Sequence, residues 1–261
     1  MIKNFSVFYV GNIDLEDVGL DGIPANDRRY KNEQLVQSME TAEKAAILMD
    51  ELGYYALWMA EHHFQREGYE CIPNVILLST HLAAKTEKLK FGCGFNIVPM
   101  WHPLRLAEDY AMADVLTGGR MIFGVGRGYH SREVETFGSP VIDNDLNREL
   151  FEEQIEVILK AFNSESFSHH GKNYTIPASV PYRGYDLEEI TLVPKPVNLP
   201  VETWQPIVSG GSIDFTARNG FKGVVALTGE KLVDEVFHRF RDACEENGRG
   251  NVMGSNLALG I

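Results

Sequence analysis

The sequence is short of cysteine, of basic residues and of long apolar runs. Its three cysteines, Cys71, Cys93 and Cys244, are widely spaced and include no CxxC pair, so neither a disulfide framework nor a zinc ribbon is indicated. No apolar stretch approaches the ~20 residues needed to span a bilayer, and Met1–Val10 is typical of a strand and not of a signal peptide. These absences predict a cytoplasmic protein with reduced thiols.

Acidic residues outnumber basic ones, 37 against 24, which gives a formal net charge of -13. Phosphate-rich partners would be repelled, so the balance disfavours a general role in binding nucleic acid or anionic membranes. An anionic ligand would need a local cluster of basic residues. With 44% hydrophobic residues in 261, the chain can bury a substantial core, and one large domain over residues 1–261 fits better than two.

Short apolar runs alternate with helical periodicity along the whole chain, which is typical of βα units around a parallel sheet. Seven strands are predicted: Phe5–Val10, Tyr54–Ala60, Leu89–Phe95, Met121–Val125, Gln205–Ser209, Gly223–Thr228 and Asn256–Ile261. Apolar residues three and four apart predict core-facing helices, with stripes at Leu35, Met39, Ala42, Ala46 and Met49, at Phe151, Ile155, Ile158 and Phe162, and at Leu232, Val236 and Phe240. A TIM barrel, (β/α)8, has eight strands, so we predict such a barrel, incomplete at its carboxyl end.

Two long connections, residues 11–32 and 163–201, interrupt this rhythm and are predicted to be loop insertions that act as lids or binding loops. The second contains a Gly and Asn turn within residues 168–174, which indicates a surface hairpin. We expect both of its histidines, His169 and His170, to be exposed.

Three ionisable side chains, Glu61, His62 and His63, stand where the second predicted strand ends, at the edge where parallel α/β proteins bind ligands. Neighbouring strand residues point to opposite faces, and no HExxH motif or cysteine set completes a zinc shell, so we predict no metal site. One inward histidine could transfer a proton or hydrogen-bond a cofactor. A structural histidine pair, or a metal-dependent hydrolase that uses both histidines, are the alternatives.

Two further segments are suited to binding an anion. Arg127 lies in the glycine-rich turn Gly124–His130, and its guanidinium can form a bidentate contact with a phosphate monoester. Ser209–Ser212 opens a predicted helix whose free N–H groups attract anions. The plainer alternatives are a surface arginine and an N-cap formed by Ser212. Because the fourth and fifth strands are neighbours in a parallel barrel, we expect the two segments to converge.

Glycines interrupt the third predicted strand in Gly92–Pro99, which is typical either of a backbone approached closely by a ligand or of a simple strand exit. Taken together, these sites resemble the bacterial luciferase-like family of flavin-dependent monooxygenases. The matching segments are Trp58–Phe64, Gly92–Pro99, His102–Asp109, Leu116–Arg120, Phe123–Gly128 and Ser209–Gly220.

The resemblance implies a TIM barrel that binds reduced FMN at its carboxyl rim and uses O2 to oxidise a small organic substrate. It assigns catalysis to His62. It implies that the cofactor is bound by Gly94, Phe95, Asn96, Arg127, Tyr129, Ser209, Gly210, Gly211 and Ser212. Gly94–Phe95 falls where the family often has a cis peptide bond beneath the flavin ring. A separate flavin reductase and a homodimer are also implied.

Two departures from the family pattern argue against light emission: Gly126 replaces a cysteine of bacterial luciferase, and Val208 replaces an acidic residue. Two alternatives remain open beside the monooxygenase. One is a deazaflavin-dependent oxidoreductase, which moves hydride without using O2. The other is a non-catalytic flavin-binding member of the family.

Overall fold

In the computed structural model of the protein, which describes residues 3–15, 22, 24–226, 229–250 and 253–260, helices and strands alternate along the chain. The strands are β1 (Ser6–Tyr9), β2 (Ala56–Met59), β3 (Lys90–Cys93), β4 (Asn96–Ile97), β5 (Met121–Gly126), β6 (His169–His170), β7 (Thr175–Ile176), β8 (Pro181–Tyr182), β9 (Tyr185–Asp186), β10 (Thr203–Pro206), β11 (Lys222–Ala226) and β12 (Leu257–Gly260). The α-helices are α1 (Asn32–Leu35), α2 (Gln37–Leu52), α3 (Val75–Ala83), α4 (Pro103–Leu116), α5 (Ser131–Val134), α6 (Asn144–Asn163), α7 (Gly210–Asn219) and α8 (Glu230–Glu246). Short 3₁₀ turns lie at Ala25–Asp27 and Val98–Met100.

Seven parallel strands form the main sheet in the order β1-β2-β3-β5-β10-β11-β12, with the short β4 beside β5. The sheet is nearly closed into a barrel with helices around it, as the sequence predicts. Within the described residues β1 pairs only with β2 and β12 only with β11, so these two strands are the edges of the sheet. None of the helices in the described ranges combines the length and apolar content needed to cross a bilayer.

Most strand boundaries differ from the predicted ones by one or two residues, and the fifth and third strands differ in ways that matter for the site. The predicted fifth strand begins too late, because β10 starts at Thr203, which pairs with Phe123 of β5, and ends before the turn into α7. The predicted third strand breaks after Cys93, and the chain resumes pairing with β5 as β4. The predicted ends of the sixth and seventh strands, Leu227, Thr228 and Ile261, lie outside the described residues.

The two faces of the sheet differ in what their side chains contact. Leu57, Met59 and Phe91 are fully buried in the cluster that joins the sheet to its helices. On the other face Trp58 meets Trp204 of β10 edge-on, with ring centroids 5.6 Å apart. The predicted stripes pack against the sheet through most of their residues, but Met39 and Leu232 lie at the margin of the buried face and are 40% and 36% exposed.

The insertion 163–201 forms two small antiparallel hairpins, β6/β7 and β8/β9. The first is the predicted hairpin, but the prediction that both of its histidines are exposed is wrong for His169, which is 4% exposed. The buried carboxylate of Glu153 on α6 accounts for this, since it lies 3.1 Å from His169 Nε2 and accepts bonds from the backbone N–H groups of Asn173 and Tyr174. Glu153 therefore fastens the insertion to α6.

We expect the Glu153→Gln variant to lose about 1 to 3 kcal/mol of unfolding free energy at pH 7, since several donors lose a charged acceptor. Burial alone would raise the pKa of Glu153, but hydrogen bonds from Asn173, His169 and Tyr174 lower it below the ordinary value of 4.5. A lowered carboxyl pKa stabilises the fold above pH 4.5, and this stability is lost as the pH falls through the folded-state pKa. Urea titrations at pH 7 and pH 3.5 should therefore show that Glu153→Gln loses less unfolding free energy at the lower pH. Glu188→Gln, which removes an exposed carboxylate of the same insertion, should lose none at either pH.

Gly124 lies where a side chain has no room, because a Cβ there would overlap the backbone carbonyl of Cys93 on β3. We expect Gly124→Ala to lower the free energy of unfolding by about 1 to 3 kcal/mol, the usual cost of overpacking. Gly250→Ala, at a position with nothing within 4 Å, should stay within about 0.5 kcal/mol of the parent. Equal stabilities of the two variants in urea would contradict this account of the strand spacing.

Candidate active site

The rim at the carboxyl ends of β2 and β4 is built around the carboxylate of Glu61, which is 2% exposed. One oxygen accepts the backbone N–H of Ile97 at 2.7 Å, and the other accepts Trp101 Nε1 at 2.8 Å and lies 3.1 Å from His63 Nε2. Burial raises the pKa of Glu61, although these donors oppose the shift. Buried Glu61 and partly buried His63 therefore form a structural pair that joins the loop after β2 to β4.

His62 lies in a loop beyond the end of the second strand. Strand β2 ends at Met59, and the backbone N–H of His62 donates to the carbonyl of Ile72 across that loop. Strand alternation therefore does not separate the two histidines. Their side chains instead have different partners: His63 contacts Glu61, whereas His62 contacts Glu133 of α5.

His62 is 6% exposed and has a carboxylate at each ring nitrogen. Its Nδ1 lies 3.2 Å from both carboxylate oxygens of Glu133, and its Nε2 lies 3.3 Å from Glu70 Oε1. Burial would raise the pKa of Glu133, but hydrogen bonds with His62 and Gln65 lower it. Glu133 is therefore an ionised acceptor, so the proton of this hydrogen bond is carried by His62 Nδ1.

Two rings from the turn after β5 cover His62. The centroid of Tyr129 lies 5.9 Å from that of His62, and the centroid of His130 lies 5.3 Å from it, both edge-on. Tyr129 is 69% exposed, so its ring forms the outer surface of this centre. The structure thus brings the predicted residues His62 and Tyr129 together.

The predicted segment Gly94–Asn96 follows β3 directly. The peptide bond between Gly94 and Phe95 is cis, as the resemblance implies. Phe95 is half-buried, with its ring centroid 6.5 Å from that of Trp58. Asn96 is fully buried and its side-chain amide donates to the carbonyl of Gly124, so this side chain ties β4 to β5.

Arg127 extends from the end of β5 toward the first turn of α6. Its guanidinium donates to Asn144 Oδ1 at 3.0 Å and to Asn147 Oδ1 at 3.3 Å, and Asn147 returns a bond to the Arg127 carbonyl. Burial lowers the pKa of Arg127, and the neighbouring charge of Arg148 lowers it further. The side chain is therefore oriented by amide groups and lies beside a second cation.

The predicted helix start at Ser209–Ser212 is also observed, and its N-cap is Ser209 and not Ser212, the residue named in the plainer alternative. Ser212 N–H donates to Ser209 Oγ, and Ser209 N–H donates to Ser212 Oγ. A Cβ on Gly211 would lie 3.0 Å from the Arg148 guanidinium, and one on Gly210 would overlap the Arg239 guanidinium. Two arginine guanidinium groups therefore pack against Gly210 and Gly211 in the first turn of α7.

Arg127, Arg148 and Arg239, together with the first turn of α7, are called the arginine cluster below. The charge of Arg148 acts on Arg127, and its guanidinium packs against Gly211, so Arg148 links the two segments that were expected to converge. No carboxylate forms an ion pair with any of the three arginines in the ranges the structure describes. In a chain of net charge -13, this is a local site suited to an anion.

Five side chains of these two centres were missed by sequence reasoning: Glu70, His130, Glu133, Arg148 and Arg239. His130 ends the glycine-rich turn, and Glu133 follows three residues later. Their closeness in sequence to Arg127 could have marked them as residues of the site. Glu70, Arg148 and Arg239 come from a loop and two helices that only tertiary packing brings to the rim.

Comparisons with known proteins identify the family of this chain. Residues 23–254 match the family described as luciferase-like monooxygenase. The oxygenase component of a flavin-dependent trigonelline monooxygenase from Acinetobacter baylyi is 28% identical over 202 residues, which cover 76% of this chain and 52% of that protein. The chain spans about half the length of the curated relatives it matches.

Solved structures share the fold at low identity. The oxygenating constituent of 3,6-diketocamphane monooxygenase of Pseudomonas putida, in complex with FMN, matches with a TM-score of 0.79 and 20% identity over 99% of this chain and 66% of its own. An F420-dependent secondary alcohol dehydrogenase matches with a TM-score of 0.69 and 14% identity, covering 99% of this chain and 68% of its own. Since the family match extends over most of the sequence, the chain belongs to the luciferase-like monooxygenase family.

Proposed function

We propose that the protein uses reduced FMN and O2 to oxidise a small organic substrate. The observation that carries this proposal is the arginine cluster, which is suited to an anion and lies at the rim of a barrel of the luciferase-like monooxygenase family. The cluster also suits a phosphate monoester chemically, because guanidinium groups offer paired donors and the first amides of α7 have no acceptor within the helix. Arg127, Arg148, Ser209, Gly210, Gly211 and Ser212 are the residues that would bind the FMN phosphate.

The flavin ring is proposed to lie between the arginine cluster and His62, bordered by Gly94, Phe95, Asn96 and Tyr129. Reduced flavin supplies the electrons with which O2 is activated. His62 would hold or move a proton at Nε2, while Glu133 keeps the Nδ1–H in place. The insertion 163–201, fastened by Glu153, would exclude water from the reacting groups.

The partners proposed for this enzyme are a separate flavin reductase and a second copy of the chain. The name of the Acinetobacter relative, an oxygenase component, supports a separate source of reduced flavin. Exposed apolar side chains on α2, α3 and α4 support a homodimer: Leu48, Leu52, Leu77, Met112 and Leu116. We also propose a single domain and a cytoplasmic location.

We expect Arg127→Ala and Arg148→Ala each to weaken binding of reduced FMN by at least about 10-fold, which corresponds to the ~1.5 kcal/mol of a hydrogen bond to a charged group. Anaerobic titration followed by flavin absorbance measures this. Reduced riboflavin, which lacks the phosphate, should bind the parent and both variants equally. Arg105→Ala, on the exposed face of α4, should leave FMN binding unchanged.

An Arg127→Ala variant that binds FMN as tightly as the parent would refute the phosphate assignment. Admitting oxygen to the reduced complex then tests the reaction. Substrate-dependent oxygen consumption supports the monooxygenase. Reduction of a deazaflavin without oxygen use supports the oxidoreductase alternative, and bound flavin without substrate oxidation supports a non-catalytic member.

We expect His62→Ala to lower the rate of substrate oxidation by about 10²-fold or more, as loss of a proton-transfer group does. Glu133→Gln should lower kcat while FMN affinity is kept, because Glu133 acts only by orienting His62, and Glu133→Asp should restore part of the rate. His238→Ala, at an exposed position on α8, is the matched control. Rates for His62→Ala equal to those of this control would contradict the role of His62.

A further inference from the structure

We propose that His62, Glu70 and His130 form a binding site for a divalent transition-metal ion such as Zn²⁺. His62 and Glu70 belong to the connection between β2 and α3, and His130 belongs to the turn after β5. One ligand atom from each side chain can be chosen so that all three lie within 4.8 Å of one another. The sequence predicts no metal site because strand alternation separates the histidines and no zinc motif completes a shell. Glu70 and His130 become neighbours of His62 only in the folded chain.

The distances are close to those of a bound ion. His62 Nε2 lies 3.3 Å from Glu70 Oε1, and His130 Nε2 lies 3.5 Å from Glu70 Oε2. Tetrahedral Zn²⁺ with bonds of ~2.0 to 2.1 Å places its ligand atoms ~3.4 Å apart. These two distances end on different oxygens of Glu70, so one ion would be held by both oxygens or after a small rotation of the carboxylate. The two imidazoles must also move closer together, and the His130 side chain, 37% exposed, has room to turn.

The surroundings of His62 also suit a metal ligand at Nε2. Its Nδ1 lies 3.2 Å from the Glu133 carboxylate, and its Nε2 faces the carboxylate of Glu70. A metal ion on Nε2 would take the place of a proton between His62 and Glu70, so that the imidazole and the carboxylate both become ligands. Glu133 then completes the carboxylate–histidine–metal arrangement that orients histidine ligands in metalloproteins.

In the described residues Arg132 forms its ion pair with Glu67 and not with Glu70. Its guanidinium donates to Glu67 at 2.8 Å and to Gln65 at 2.6 Å, and its charge acts on Glu70 and Glu133 only through space. Two imidazoles and one carboxylate suit Zn²⁺, Co²⁺ or Ni²⁺ better than the all-oxygen cations Ca²⁺ and Mg²⁺. Three protein ligands also leave a coordination position for water.

The site shares His62 with the proposed reaction, which gives it a consequence for regulation. An ion on Nε2 would remove that nitrogen from proton transfer, so Zn²⁺ would act as a reversible inhibitor. This consequence rests on the proposed function, whereas the binding itself does not.

Isothermal titration of the flavin-free, chelator-treated protein with ZnCl₂ tests the site. We expect one Zn²⁺ per chain, with affinity at least about 10-fold weaker in His130→Ala and in Glu70→Gln, and weakened by a similar factor in Glu133→Gln. His170→Ala removes an exposed histidine of the β6/β7 hairpin and should bind like the parent. Co²⁺ added in place of Zn²⁺ should give the visible spectrum of a low-coordinate ion in the parent and lose it in His130→Ala.

Absence of stoichiometric Zn²⁺ binding, or equal affinities of the parent and the His130→Ala variant, would overturn the metal site. His130 lies in a half-exposed turn, and far-ultraviolet circular dichroism would verify that its variant is folded. Substrate oxidation measured with and without Zn²⁺ separates the two proposals. Zn²⁺ that binds at one per chain without slowing oxidation would contradict the role of His62 and leave the metal site supported.

Discussion

The buried carboxylate of Glu61 fixes the geometry on which the rim of this barrel depends. It joins three segments that are distant in sequence: the loop after β2, the backbone of β4 at Ile97, and the indole of Trp101 ahead of α4. Without it, two buried donors would lose their acceptor, a cost of about 1 to 3 kcal/mol each. Because His63 is also held by Glu61, the adjacent His62 is directed toward α5.

The turn after β5 connects the two centres of the site. Arg127 enters the arginine cluster, and within six residues the same chain supplies Tyr129, His130 and Glu133 to the surroundings of His62. Gly128 lies between them with a φ of +77°, and a Cβ there would approach Ile97 and Val134 closely. A residue with a side chain would therefore disturb both centres at once.

Much of the fold could be predicted from sequence because parallel strands buried on both faces give dense apolar runs. The nearness of Arg127 to the start of α7 followed from the order of strands, since neighbouring parallel strands end at the same rim. Arg148 and Glu70 could not be predicted in this way, because a helix and a loop carry them to the rim. His169 was misjudged for a related reason: local turn residues indicate a hairpin but say nothing of Glu153, which buries the ring.

The arginine cluster lies in a chain whose net charge is -13. An approaching anion is therefore repelled by the acidic surface as a whole and attracted by the arginines close to the site. At physiological ionic strength charges are screened beyond ~8 Å, so the acidic surface acts weakly at long range and the three guanidinium groups act only near contact. Such an arrangement does little to raise the association rate of an anion. It favours anions because a bound anion dissociates slowly. Added salt would then shorten the lifetime of a bound anion more than it changes the rate of its arrival.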